Sequence, residues 1–129
     1  RDSLDIVNDQ TTCPTPAADI ADALLQIAND ILGRRQIIKW GTYHYCCGPA
    51  VTWYNFAAAI VEEASQYQTL TAKTLNAITS EQLKLLAKRP RYSVLNCDKI
   101  FDEFGLVRHG WKTGLTRVIR ELFCEKLPT

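Results

Sequence analysis

The chain contains no methionine and starts at Arg1. A natural translation start is therefore not expected here: either an initiator segment has been removed, or this is a piece of a longer polypeptide. No apolar run approaches the ~18 residues of a membrane span, and the opening stretch RDSLDIVNDQ lacks the apolar core of a signal peptide. These absences predict no membrane partner and a cytoplasmic location. An excess of one charge is also missing. The 15 Lys and Arg stand against 14 Asp and Glu, for a net charge of +1, which removes the broad electrostatic case for nucleic acid. Cys13, Cys46, Cys47, Cys97 and Cys124 are odd in number and lack CxxC spacing. That argues against a disulfide framework and a structural zinc site, and predicts buried, reduced thiols. His44 and His109 are the only histidines; no third metal ligand stands at a usable spacing, and no GxSxG signature is present. No catalytic, cofactor or metal residue is assigned to this chain.

What is there suits one globular domain over residues 1–129. The apolar share is 47% and the charged share 22%, and at this length roughly two thirds of the unfolded surface can be buried. Leu4–Asn8 reads as a short strand, followed by the turn-rich loop DQTTCPTP. Thr15 is placed to cap a helix with Pro16 at its first position. Ile20, Leu24, Ile27 and Ile31 recur at helical spacing up to Gly33, predicting a helix over about Pro16–Leu32. GRRQIIKW is a basic connector, and TYHYC alternates as a strand does. After the Gly48-Pro49 break, Thr52 caps a helix whose apolar stripe is Trp53, Phe56, Ala57, Ile60, Val61 and Ala64.

Further on, KTLNAI reads as a strand, and Thr79–Gln82 spells a capping box that predicts a short helix. AKRPRYSVLN is extended, because Pro90 keeps Arg89 out of the helical region. CDKIFDEF is a helix ended by Gly105, and Leu115, Val118, Ile119, Leu122 and Phe123 mark a terminal helix capped by Thr113. Helices interleaved with a few short strands predict a mixed α/β fold.

Three features carry chemistry. Arg89 and Arg91 flank Pro90 with Lys88 beside them; guanidinium forks on a stiff segment suit the oxygens of a pyrophosphate, and a solvated basic loop is the alternative. Asp9, Gln10, Thr11, Thr12 and Thr15 crowd hydrogen-bonding groups into one loop, as ligand-lining loops do; turn formation and helix capping account for the same residues. Tyr54 falls off the apolar stripe of its helix and is a candidate to face a cleft. Nucleic-acid binding through the basic segment with Tyr92 stacking runs against the balanced charge.

Four blocks in one order (VNDQTTCPTPAADIADALLQIA, GTYHYCCGPAVTWYNFAAAIVEEA, LNAITSEQLKLLAKRPRYSVLNCDKIFDEFGL and WKTGLTRVIREL) resemble the C-terminal part of the dTDP-4-dehydrorhamnose reductase family. That family belongs to the extended short-chain dehydrogenases, and the likeness runs from about Leu4 to Leu122. It implies the substrate-binding region of an oxidoreductase that reduces dTDP-4-dehydro-L-rhamnose to dTDP-L-rhamnose for surface polysaccharide. NADPH would be bound by an N-terminal Rossmann domain that is missing here. Asp9, Gln10, Pro14 and Thr15 match the DQxGxPT block, and Arg89 and Arg91 match the RPR segment. The resemblance thus makes Gln10, Thr15, Arg89, Arg91 and Tyr54 the candidate substrate-binding residues. It also implies that residues 16–46 pack on the missing Rossmann sheet, with GTYHYC joining its edge and Gly48-Pro49 handing the chain to the substrate lobe.

The sequence departs from the family at three points. Thr12 stands where the DQxGxPT block has Gly, so a different loop backbone is expected if that Gly takes a positive φ. There is no GxxGxxG turn. There is no Tyr-x-x-x-Lys either, since Cys47, Pro49, Ala58, Thr71 and Asn96 lie four residues beyond the five tyrosines. In the family that Tyr donates the carbonyl proton while the Lys lowers its pKa, so this chain alone is expected to be inactive. The family resemblance also reaches the regulatory β subunit of methionine adenosyltransferase, and a non-catalytic partner-binding protein is the alternative. In either case an unpaired edge and apolar surface predict self-association.

Overall fold

The computed structural model describes residues 2–33, 40–84 and 87–124; most of the GRRQIIKW connector and the Cys124 side chain lie outside the described residues. The described elements are β1 (Ser3–Val7), β2 (Thr11–Thr12), α1 (Ala17–Gly33), β3 (Val51–Thr52), α2 (Trp53–Ser65), β4 (Thr74–Ile78), α3 (Ser80–Leu83), α4 (Asp98–Phe104) and α5 (Trp111–Cys124). The arrangement is mixed α/β. β1 and β4 pair in parallel, from Ser3 opposite Thr74 to Val7 opposite Ile78. β2 and β3 pair antiparallel. A parallel pair needs a long crossover, and here it includes α2, which packs on both strands and on α5. Two strands alone are marginal; the helix covering them supplies the apolar burial they lack.

Local chemistry sets several boundaries. The Thr52 hydroxyl accepts the Asn55 N–H at 3.2 Å and donates to Asn8 Oδ1 at 2.8 Å, capping α2 and tying it to the end of β1. Thr79 and Gln82 form the full capping box of α3. Gly105 ends α4 with φ 62, in the left-handed region, where its N–H reaches the Phe101 carbonyl at 2.8 Å; a β-carbon there would be strained. Thr12 lies in β2, and Lys84 is the only non-Gly residue with positive φ among those described, so Thr12 in place of Gly is accommodated in ordinary extended backbone.

Two apolar clusters form. Ala23, Cys46, Cys97, Ile100, Phe104 and Leu106 are buried together, with Ile27, Ile31, Tyr43 and Tyr45 packed against them. Burying a side chain such as Ile100 contributes about 1.5–3 kcal/mol. Between α2 and α5, Phe56 meets Trp111 edge-on at 5.6 Å and Tyr67 stacks on Phe123 at 5.2 Å.

Four expectations need correction. The stripe Ile20, Leu24, Ile27, Ile31 is one face of α1 but is only partly covered. Ile27 and Ile31 pack against the core, whereas Ile20 and Leu24 (60% exposed), and off the stripe Leu25 (63%) and Leu32 (85%), are exposed. TYHYC keeps its alternation, with Tyr43 and Tyr45 half-buried and Thr42 and His44 exposed, yet Thr42–Cys47 form no strand ladder among the described residues. Side chains serve that backbone instead: Lys99 Nζ donates to the Thr42 carbonyl at 3.0 Å, and the Cys47 N–H reaches Thr15 Oγ1 at 3.1 Å. Thr15 is consequently spent on Cys47 rather than on capping α1. Finally, α5 starts at Trp111, not after Thr113. The Trp111 N–H donates to the Gly48 carbonyl at 2.9 Å, so a bridge to the cis Gly48-Pro49 segment does the work of a side-chain cap.

Candidate functional site

The ends of the two parallel strands bring distant residues together. Two residues past Val7 comes Asp9, and two past Ile78 comes Ser80. Asp9 Oδ1 accepts the Ser80 N–H at 3.0 Å and the Ser80 hydroxyl at 2.7 Å. Gln10 Nε2 donates to Ser80 Oγ at 2.9 Å, and Gln10 is buried, 7% exposed. The Ser80 hydroxyl, then its amide, hold the Asp9 carboxyl below the ordinary carboxylate range, with Arg91 adding a smaller pull.

Beyond α3 the chain turns at Lys84 in left-handed backbone and returns through Lys88–Arg91. The segment is extended as predicted: Thr11 N–H donates to the Arg91 carbonyl at 2.8 Å, and Ser93 N–H to the Thr11 carbonyl at 2.9 Å. These strand-like bonds fix Arg91 beside Asp9 and Gln10. The result is a hollow of about 380 Å³ into which Gln10, Ser80, Lys84, Lys88, Arg89 and Arg91 converge, with Glu81 the one carboxylate on its wall among the described residues. A second hollow of about 460 Å³ shares Gln10 and Arg89 and adds Trp53, Leu83 and Pro90. Four cations against one carboxylate favour an anion, and the guanidinium forks suit phosphate. Among the described lining residues stands no cysteine or histidine.

Of the five residues marked by sequence, the structure brings Gln10, Arg89 and Arg91 to one place. Thr15 is elsewhere, bonded to Cys13 and Cys47 beside an apolar hollow lined by Phe56 and Trp111. Tyr54 is half-buried in the first turn of α2 and lines neither of the two polar hollows. Sequence reasoning missed Ser80, whose capping-box neighbours Thr79 and Gln82 were legible, and Lys84, for which no local signal exists.

It also missed a buried polar cluster. Asp19 is 3% exposed; it accepts from Arg117 Nη2 and from the Cys47 thiol at 3.4 Å, and His109 Nδ1 lies 3.6 Å away. Burial works to raise the Asp19 carboxyl, but the Arg117 and Cys47 hydrogen bonds outweigh it and hold the group low. Burial first, then Asp19, push the Cys47 thiol up to about 12. The signal was an aspartate four residues before Ala23, on the buried side of α1.

The starts of α1 and α2 do not fit a dinucleotide. Such a cofactor sets its pyrophosphate on a helix N-terminus behind a Gly-rich turn. Here the first turn of α1 follows Pro14-Thr15-Pro16 and holds the Asp19 carboxylate, and that of α2 is closed by the Thr52 hydroxyl.

Fold and site together define a mixed α/β lobe with a polar, cation-lined hollow. Comparison with known proteins gives the lobe its family: residues 1–124 match the RmlD substrate binding domain, and the chain belongs to that family. The dTDP-4-dehydrorhamnose reductase of Aggregatibacter actinomycetemcomitans is 40% identical over 119 residues, covering 92% of this chain and 40% of that protein. The reductase of Escherichia coli K12 is 34% identical over 124 residues, covering 95% and 41%. The chain therefore spans about two fifths of the length of these curated relatives. Among solved structures, the dTDP-4-dehydrorhamnose reductase of Clostridium acetobutylicum superposes with a TM-score of 0.77 at 28% identity, covering 95% of this chain and 39% of that one. The Bacillus anthracis reductase, solved in complex with NADP, shares the fold with a TM-score of 0.77 at 24% identity, covering 94% and 39%.

Proposed function

We propose that this chain is the nucleotide-sugar-binding lobe of a cytoplasmic dTDP-4-dehydrorhamnose reductase. Its task is to hold dTDP-4-dehydro-L-rhamnose while the 4-keto group is reduced to give dTDP-L-rhamnose for surface polysaccharide. The convergence of Gln10, Arg89 and Arg91 on one cation-lined hollow carries this reading. Arg89 and Arg91 face the diphosphate, and Gln10 meets a polar group beside it. Thr15 and Tyr54 contribute from outside the hollow, Thr15 by fixing the loop that leads away from Gln10. NADPH, the hydride source in this reading, belongs to a Rossmann domain outside this chain, and without that domain the chain is inactive.

Residues 16–46 are the surface on which the Rossmann sheet sits. In support, Ile20, Leu24, Leu25 and Leu32 of α1 stand exposed, as does Trp40. Contiguous apolar surface of this kind marks an interface. Left uncovered, it makes the isolated chain self-associate.

Calorimetric titration with dTDP tests the assignment. Arg89→Ala is expected to weaken binding by ~1.5–3 kcal/mol, the value of a hydrogen bond to a charged group. Equal affinity in parent and variant would return Arg89 to a solvated loop.

A further inference from the structure

Ser80 has one hydroxyl proton, and its surroundings fix where that proton goes. Asp9 Oδ1 lies 2.7 Å from Ser80 Oγ and already accepts the Ser80 N–H. The carboxylate is ionised and offers only lone pairs. The hydroxyl proton therefore points at Asp9, leaving Ser80 Oγ as an acceptor toward Gln10, 2.9 Å away. Only the amide NH₂ of Gln10 can answer a lone pair. The polarity of Gln10 is thus imposed by a charge one residue back in the chain, relayed through a hydroxyl some 70 residues away. Its carbonyl oxygen must turn the other way. Among the described residues that oxygen has no hydrogen-bond partner. It is not sealed off like Trp111 Nε1, the buried side-chain atom without a partner among the described residues. Gln10 lines both polar hollows.

We propose that Gln10 Oε1 is a fixed acceptor that selects, among phosphate-bearing ligands, those carrying an N–H or O–H donor beside the diphosphate, with Asp9 and Ser80 as the positioning residues that set its direction. The inference rests on the nucleotide-sugar reading and sharpens it. The hollow offers cations for the phosphates and one oriented lone pair for a neighbouring donor, and a freely rotating amide would offer donor and acceptor alike. Three parts of a dTDP-sugar supply such a donor: the thymine imide N–H, the deoxyribose 3′-hydroxyl and a hexose hydroxyl.

The test is calorimetry of the 129-residue chain with four probes: inorganic pyrophosphate, dTDP, N3-methyl-dTDP and dTDP-glucose. Circular dichroism verifies that each variant is folded. Gln10→Ala is expected to weaken dTDP or dTDP-glucose about tenfold, as loss of one hydrogen bond left unmade would, and to leave pyrophosphate unchanged. Ser80→Ala should lower the preference for dTDP over pyrophosphate, and Ser80→Thr, which keeps the hydroxyl, should restore it. A merely structural Ser80 would weaken all ligands together. If N3-methylation abolishes the Gln10 dependence, the donor is the base; if the dependence with dTDP survives methylation, it is the deoxyribose hydroxyl; if it appears only with dTDP-glucose, it is the hexose.

Retention of full dTDP and dTDP-glucose affinity in Gln10→Ala, while Arg89→Ala weakens both, would overturn this inference and leave the nucleotide-sugar reading standing. Pyrophosphate binding with no gain for either nucleotide would also overturn it. No binding of any probe would overturn both.

Discussion

Replacing Asp19 by Ala removes the group that joins the start of α1 to α5 and to the segment before Gly48. The carboxylate accepts from Arg117 and from the Cys47 thiol while 3% exposed. A hydrogen bond to a charged group is worth about 1.5–3 kcal/mol, and the weak thiol bond adds at most about 0.5 kcal/mol. Severing a fully buried ion pair would cost ~3–5 kcal/mol because the surviving charge is stranded. Arg117, however, is 37% exposed and turns to water, so the lower range applies. The expected loss is about 2–3 kcal/mol at pH 7. For a chain of this size that corresponds to a fall in Tm of roughly 6–15 °C. Urea unfolding followed by far-ultraviolet circular dichroism, at one fixed protein concentration, reads it directly.

The pH dependence checks the cause. The carboxyl is held lower in the folded state than in the unfolded chain, so its contribution is complete above the unfolded carboxylate pKa. It is lost as pH falls through the lower, folded value. Parent and Asp19→Ala stabilities should therefore converge in acid, while Asp19→Asn, similar in volume, should lose most of the same free energy at pH 7. A variant within about 0.5 kcal/mol of the parent, the usual scatter of surface changes, would refute the reasoning.

At Gly114, a β-carbon would overlap Pro16 Cγ. Gly114→Ala would ordinarily gain about 1 kcal/mol of helix propensity, but overpacking against a rigid ring costs about 1–3 kcal/mol; net destabilisation in urea is expected, and a stabilised variant would contradict the close approach of α1 and α5. Cys47 is fully buried, with its thiol pushed up to about 12, so at pH 8 almost none is thiolate. Iodoacetamide should leave Cys47 unmodified in the folded chain and alkylate it in urea, with equal rates in both counting against that environment. Size-exclusion chromatography should show the isolated chain as a dimer or larger species, and a clean monomer at high concentration would contradict an adhesive α1 surface.

What sequence reading recovered, and what it missed, divides by the range of the interactions. The caps at Thr52, Thr79 and Gly105 were legible because each is settled within four residues. The cations at Arg89 and Arg91 were legible because Pro90 dictates an extended backbone and spaces them. The start of α5 was not, since the bond that opens it comes from Gly48 on another part of the chain. Nor was the role of Asp19, whose meaning depends on Arg117, 98 residues on. The stripe on α1 was legible as one helical face, but only its neighbours reveal that Ile27 and Ile31 are covered while Ile20 and Leu24 are not. Ser80 stayed hidden because its partner sits across a parallel pairing that no local pattern announces.

That pairing acts as a ruler. Because Val7 stands opposite Ile78, the chain two steps beyond each brings carboxylate and hydroxyl face to face. A slip of a single position would exchange the inward and outward sides of one strand and separate the two groups. A ligand held in the hollow would thus recognise one alignment among several, so that occupancy and correct alignment would become a single linked equilibrium in which the ligand proofreads the sheet.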